Sequence, residues 1–443
     1  MEDRKSASLT KEIKLSASVW LFLICFLVYC VSYIARGSFS FVRTSMIGAG
    51  AVSDQIAGAI SAAYFIFYAV GQLLNGFLGD RVSPFVMVVT GLIIVISTNI
   101  MMTVAQPEGM YVLWWGISGY GHSMLWSPVF FVVSTMINTK MRSFALTAIS
   151  ICAPVGKIAS ALVSGAVISQ GKWQTVFFVV SMIAAGTLLL WMARYITLSQ
   201  YIVMNSQKSE ESENSETEPK GEKVVKLLPM LVASGVIIML PAMLVHGLFY
   251  NGVVELIPTI LYNEYSMSAT MSAMIEIIIP VLSITGVFFA NFVYYRMFKE
   301  NDMKSAAFLM GVTLVPVGVM LLLGFFKRDG YMFGQYADAI IFVTTYALVY
   351  LFQFGFNHVA IVLIPARFAR ANYSSTVSGI ANAINYGGSA ISTYGMTYAL
   401  LKLELWQTVL IWMLLLFVAF VLVFAAQKRW KAFSKKEKIL FNA

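Results

Sequence analysis

The chain has 443 residues, 59% of them hydrophobic and 12% charged, with a mean hydropathy of +0.78. A soluble domain carries about 25% charged residues, so this composition excludes a water-soluble globular fold. The net charge of +9 is not a nucleic-acid signal, because the basic residues lie beside apolar segments, where they set membrane topology.

Apolar stretches of about 20 residues, each long enough to cross the hydrocarbon core as a helix, recur along the whole sequence. The pattern lacks the ten-residue alternating segments of a transmembrane barrel. An all-α polytopic membrane protein is therefore expected. Met1 to Ser16 is polar and no small-residue cleavage site follows the first apolar stretch, so the first helix is expected to remain in the protein. The pattern predicts twelve spans, over 17–42, 56–78, 84–105, 109–136, 145–169, 174–196, 233–262, 268–295, 304–326, 337–364, 373–399 and 404–427.

Between the sixth and seventh spans, Gln207 to Lys223 reads QKSEESENSETEPKGEK, a charged segment without apolar periodicity and hence an expected solvated linker. Three regions follow: an N-terminal six-helix half over 1–196, a cytoplasmic linker over 197–232, and a C-terminal six-helix half over 233–443 with a basic tail. Lys and Arg gather in both tails, the linker and the even-numbered loops, leaving Arg43, Lys172, Lys327, Arg328 and Lys402 for the odd-numbered loops. That bias places both termini in the cytoplasm, in the cell (inner) membrane. Two halves joined by a cytoplasmic linker are the layout of repeat-built carriers, whose substrate site lies between the halves.

Two basic residues, Arg36 and Lys157, fall inside predicted spans. A charge at the bilayer centre costs roughly 2.5–3.5 kcal/mol on insertion scales, so it normally faces a watery cavity. Lys157 sits mid-span in a row with Ser150, Ala153, Ser160 and Ser164, at successive spacings of three and four, which makes a small polar stripe. Pro154 is expected to loosen that helix. Arg36 shares a helix face with Tyr29, Tyr33 and Ser40, and span two carries Tyr64, Tyr68, Gln72 and Asn75 at similar spacing. A planar guanidinium suits bidentate capture of phosphate or carboxylate, so an anion site is expected, with Tyr33, Tyr68 and Tyr250 adding hydroxyls or an aromatic wall.

In the C-terminal half, His246 and Tyr250 lie one turn apart, but an unbroken helix would turn Glu255 away from His246. Both face the cavity only if Gly252 or Pro258 bends the segment. Glu255 and Glu276 are candidate coupling groups; Glu255 reads equally as an ion-pair partner of Lys157 or as a structural carboxylate between helices. His358, near Gln353 and Asn357, is expected to be packed and hydrogen-bonded. Asn382, Asn385 and Tyr386 are weaker candidates. Cys25, Cys30 and Cys152 show no metal-ligand or disulfide pattern. No hydrolase, zinc or nucleotide motif is present, so neither an enzyme, a metal site nor a cofactor is expected.

The stretch NGFLGDRVSP, Asn75 to Pro84 with Gly76, Asp80 and Arg81, resembles the loop signature of the major facilitator superfamily. Tyr33-Ile34-Ala35-Arg36 with Phe39, Gly119 with Trp126-Ser127-Pro128, Val155-Gly156, and Gly252-Val253-Val254-Glu255-Leu256-Ile257-Pro258 resemble the organophosphate:phosphate antiporter family within it. In that family an arginine from each half grips phosphate and a histidine assists. The resemblance places the first arginine at Arg36, but the second position is Tyr250, the span-two lysine position is Gln72 and the histidine position is Ala153. Lys157 is the residue expected to supply lost positive charge.

The function expected is secondary active transport of a small organic anion, an organophosphate or sugar-phosphate-like solute, by alternating access and in exchange for phosphate. A proton-coupled symporter of a carboxylate or sulfonate and a transporter-like anion sensor are the alternatives. The partners are the solute, phosphate or a proton as coupling ion, and membrane lipids, without nucleic acid.

Overall fold

The computed structural model describes residues 15–168, 172–213, 226–267, 279, 281–282, 284–327 and 330–441. Within these the chain forms helices α1 (Leu15–Gly48), α2 (Asp54–Gly79), α3 (Pro84–Met102), α4 (Glu108–Phe131), α5 (Thr139–Ser150), α6 (Cys152–Ile168), α7 (Trp173–Glu213), α8 (Leu227–Ser234), α9 (Val236–Gly247) and α10 (Val254–Tyr265). They continue as α11 (residues 284–291), α12 (Asp302–Val312), α13 (Leu314–Phe326), α14 (Gln335–Asn357), α15 (Ile364–Ala366), α16 (Ser374–Lys402) and α17 (Leu405–Phe441).

Among the described residues, eight helices are long and apolar enough to cross a membrane, or nine if α5 and α6 count as one bent span. The expected count of twelve is thus not reached by length and hydropathy. Helices α4 and α16 have the length, at 24 and 29 residues, but carry Ser, Gly, Asn and His because they face protein rather than lipid. Most of the first half of the predicted eighth span falls outside the described residues.

Three expected boundaries move. Helix α1 runs on to Gly48, so Arg43 belongs to a helix wall and not to an outer loop. Helix α7 continues to Glu213, into the expected linker, since Glu, Lys and Gln are good helix formers. Helix α17 carries the basic tail as helix, with Trp430 buried against Phe368 and Phe433 at ring distances of 6.4 and 5.8 Å.

Pro154 has no N–H for the carbonyl of Ser150, and the span breaks there into α5 and α6 with a 41° bend. The predicted polar stripe is divided by that break. Wide π-helical turns follow α4, α9, α11 and α14, at Val132–Met136, Leu248–Val253, Phe292–Met297 and His358–Leu363; such turns shift the phase of the side chains beyond them.

Helices α1 to α7 pack among themselves, as do α8 to α17, and the two bundles meet chiefly through α2 against α16, α4 against α16, and α5 against the turn after α14.

Candidate functional site

Asp80, the residue after α2, closes one end of the bundle interface. Its two carboxylate oxygens accept the backbone N–H groups of Ser375 and Thr376, at 2.9 and 2.7 Å, at the start of α16. An acidic group at a helix N-terminus satisfies orphan donors and meets the positive end of the helix dipole. Burial pushes the Asp80 carboxyl above its usual range, against the opposite pull of the Thr376 and Ser375 donors and of Arg81. Arg81 itself donates to Phe77 O at 2.9 Å.

Above Asp80 the helices touch backbone to backbone. A Cβ on Gly379 would lie 2.6 Å from both Gln72 O and Gly76 Cα, so only glycine fits. Trp126 Nε1 donates to Ser378 Oγ at 2.9 Å, and Ser375 Oγ to Ser127 O at 2.6 Å. A second cross-bundle seam pairs Ser150 Oγ with His358 Nδ1 at 2.8 Å and Asn291 Nδ2 with Thr147 Oγ1 at 3.1 Å. Ser150 therefore serves this seam, while Ser160 donates to Ile34 O at 2.9 Å; neither lines the cavity.

Toward the other end the bundles part around a cavity of about 590 Å³, walled by Arg36, Arg43 and Lys157 from α1 and α6 and by Asn251, Val254 and Tyr350 from the C-terminal bundle. All three cations come from the N-terminal bundle, and no acidic residue is among the described lining. Arg36 and Lys157 lie at one depth. A Cβ on Gly156 would meet Cys30 O at 2.6 Å and Tyr33 Cβ at 2.4 Å, and Ser160 stands against Gly37, so Lys157 is level with the turn that carries Arg36.

Arg36 is held by an aromatic cage rather than by an acid. Its guanidinium carbon lies 4.8 Å from the ring centre of Tyr386, 5.4 Å from Tyr64, 5.5 Å from Tyr68, and 5.6 Å from Tyr33 and Phe65. Each cation–π contact is worth roughly 0.5–2 kcal/mol, which offsets much of the cost of placing the charge there. Arg36 Nη1 donates to Tyr386 Oη at 2.5 Å, joining α1 to α16 across the two bundles.

Tyr68 belongs to this cage and packs against Tyr386 at 4.3 Å. Tyr250 is buried one layer behind the wall, its ring parallel to Tyr350 at 5.6 Å, with Lys157 Nζ 5.9 Å from its centre. His246 is fully buried behind Tyr250, with Nδ1 2.8 Å from Gln353 Oε1 and Nε2 3.1 Å from Asn357 Oδ1. Gln72 and Asn75 bind Ser123 O and Ser123 Oγ of α4 at 3.3 and 2.7 Å and so join helices. The Glu255 side chain and all of Glu276 lie outside the described residues. Sequence reasoning passed over the cavity-wall roles of Arg43 and Asn251, and it underrated Tyr386. The signal for Arg43 was its spacing of seven from Arg36, two turns on one helix face.

A two-bundle helical protein, sealed at one end by an acidic loop residue and open at the other to a cationic cavity, has the form of a carrier. The sequence profile of the Major Facilitator Superfamily matches residues 25–393. The chain belongs to the major facilitator superfamily. Solved structures that share its fold include the following three. The proton:xylose symporter XylE bound to 6-bromo-6-deoxy-D-glucose has a TM-score of 0.67 at 12% identity, over 92% of this chain and 95% of that one. A bacterial homologue of the iron transporter ferroportin in an outward-facing state gives 0.64 at 12%, over 94% and 99%. A bacterial homologue of the human lysosomal transporter Spinster, inward-facing and unoccupied, gives 0.61 at 16%, over 94% and 98%.

Among curated sequences, the chain is 24% identical over 161 residues to a probable hexose phosphate transport protein of Chlamydia muridarum, over 36% of this chain and 35% of that protein. It is 24% identical over 159 residues to the protein so named in Chlamydia trachomatis, over 36% and 35%. An uncharacterized MFS-type transporter of Mycobacterium tuberculosis is 26% identical over 137 residues, over 31% and 23%. The chain spans about a third of the length of the curated relatives it matches. It is an integral membrane protein of a transporter superfamily, not an enzyme.

Proposed function

We propose that the protein is a secondary active carrier of a small organic anion of the organophosphate or sugar-phosphate type, taken up in exchange for phosphate across the cell membrane. The observation that carries this reading is the cavity wall, to which Arg36, Arg43 and Lys157 each contribute a cation. Water-facing cations in a membrane interior are retained for ligands. The relatives named as probable hexose phosphate transport proteins support the same ligand class.

The positive-inside bias puts the Asp80 end and both termini in the cytoplasm, so the cavity opens outward. Tyr386 Oη accepts from Arg36 and so ties the deep cation to the C-terminal bundle. The clamp then spans both bundles, although Tyr250 occupies the position of the family's second arginine. Alternating access is a rocking of 1–196 against 233–443, linked by 197–232, in which the seam of Gly76, Asp80 and Arg81 parts while the outer end closes. The basic tail of α17 meets anionic headgroups on the inner leaflet.

Proteoliposomes containing the pure protein and loaded with phosphate test this. Labelled phosphate should enter only against an internal anion, with saturation, and Arg36→Ala and Lys157→Ala should each abolish exchange. A folded protein that exchanges no anion, or whose exchange ignores both substitutions, sinks the proposal. Accumulation driven by a proton gradient without a counter-anion, lost on Glu255→Gln or Glu276→Gln, would select proton symport of a carboxylate or sulfonate instead.

A further inference from the structure

Arg43 lines the same cavity as Arg36 but two helical turns nearer the open end. Seven residues of α-helix bring a side chain back to within about 20° of the same face and about 10 Å along the axis. Both guanidiniums therefore project into the same space, one deep beside Lys157 and one at the mouth. Their surroundings differ. Arg36 sits inside five aromatic rings with its Nη1 bonded to Tyr386. Arg43 is only partly buried and makes no hydrogen bond or ion pair among the described residues. Thr44, next to it, is exposed and also lines the cavity.

A cation on a lipid-facing or packed surface is normally matched by an acid or by backbone carbonyls. Arg43 has no such match among the described residues and borders a volume of about 590 Å³, well within the range that holds a drug-sized ligand. Opposite it the C-terminal bundle offers only Asn251, Val254 and Tyr350 among the described lining, none of them acidic. The positive charge is thus laid out as a line along α1, with a gap between its ends that an uncharged spacer fills.

From this line of charge we infer that the carried solute bears two anionic groups about 10 Å apart, one gripped by Arg36 and Lys157 and the other by Arg43. The inference rests on the anion-carrier reading above and narrows it to bis-anions, such as a carbon chain or sugar with a phosphate or carboxylate at each end. A single phosphate fills only the deep position and leaves the Arg43 donors to water.

The test measures Kd with purified protein, using thermal shift and calorimetry, for methylphosphonate and for straight-chain α,ω-diphosphonates of graded length. Affinity should rise with chain length to an optimum about tenfold tighter than methylphosphonate, the gain from one further charge-assisted hydrogen bond. Arg43→Gln should collapse that ratio to near one, and Arg43→Lys should restore part of it because the charge persists without the fork. A flat length series would overturn the two-point site. So would an Arg43→Gln variant that weakens mono- and diphosphonates by one common factor, since Arg43 would then merely draw anions inward. Both results leave the anion carrier standing. Failure of every phosphonate to bind a protein that unfolds cooperatively overturns the carrier reading and this inference together.

Discussion

The contact between Gly76 and Gly379 gives the sharpest mechanical test. Replacing Gly379 with Ala adds one methyl group, and that Cβ would sit 2.6 Å from Gln72 O and from Gly76 Cα. Ordinary van der Waals contact begins about 3.5 Å between carbons, so α2 and α16 must separate by about 1 Å at a seam of backbone that cannot rotate away. Overpacking of this kind costs typically 1–3 kcal/mol. The cost falls only on the state in which the Asp80 end is closed, so the ratio of the two states shifts by about 5- to 150-fold. Cysteine at Ser378, beside the seam, reports the change through labelling by a membrane-impermeant maleimide in inside-out vesicles; Cys25, Cys30 and Cys152 are buried. Labelling should accelerate in Gly379→Ala. Gly387→Ala on the same helix is the control, because a Cβ there meets nothing within 4 Å. Equal labelling rates in the two variants would refute the reasoning, as would a faster rate in Gly387→Ala.

Tyr386→Phe removes the Oη that accepts from Arg36 at 2.5 Å; a hydrogen bond to a charged group is worth about 1.5–3 kcal/mol, so KM for the anion should rise by about 10-fold or more while the folded yield is unchanged. Uptake curves that superimpose on the unsubstituted protein would remove Tyr386 from the clamp. Trp430→Ala should lower the thermal midpoint in detergent, because the indole is 1% exposed and packs on Phe368 and Phe433; deleting a buried Trp costs about 3–5 kcal/mol. An unshifted midpoint would mean that the basic end of α17 is not docked on the bundle.

Sequence alone was enough for the architecture class. A mean hydropathy of +0.78 has one physical outlet, burial in lipid, and bilayer thickness then dictates apolar runs of helical length. Arg36 and Lys157 were legible for the same reason, since a charge inside such a run is costly unless it faces water or a ligand. Asp80 was legible through its motif, though not its partners: the Ser375 and Thr376 N–H groups lie 295 and 296 residues away, and no local pattern encodes that. The tertiary structure decided the rest. Hydropathy ended the first span at residue 42, because Arg43 looks like a loop residue when its neighbours are unknown. Only the packing of α6 and the C-terminal bundle around α1 shows that the helix continues beside a cavity that hydrates the charge. Tyr386 read as one polar residue among several in α16, and its position against Arg36 depends on two bundles meeting at glycine. His246, Gln72 and Ser160 had the spacing of a cavity face, yet they satisfy buried neighbours. Periodicity fixes which residues share a face of one helix; it carries no term for what the next helix brings to that face.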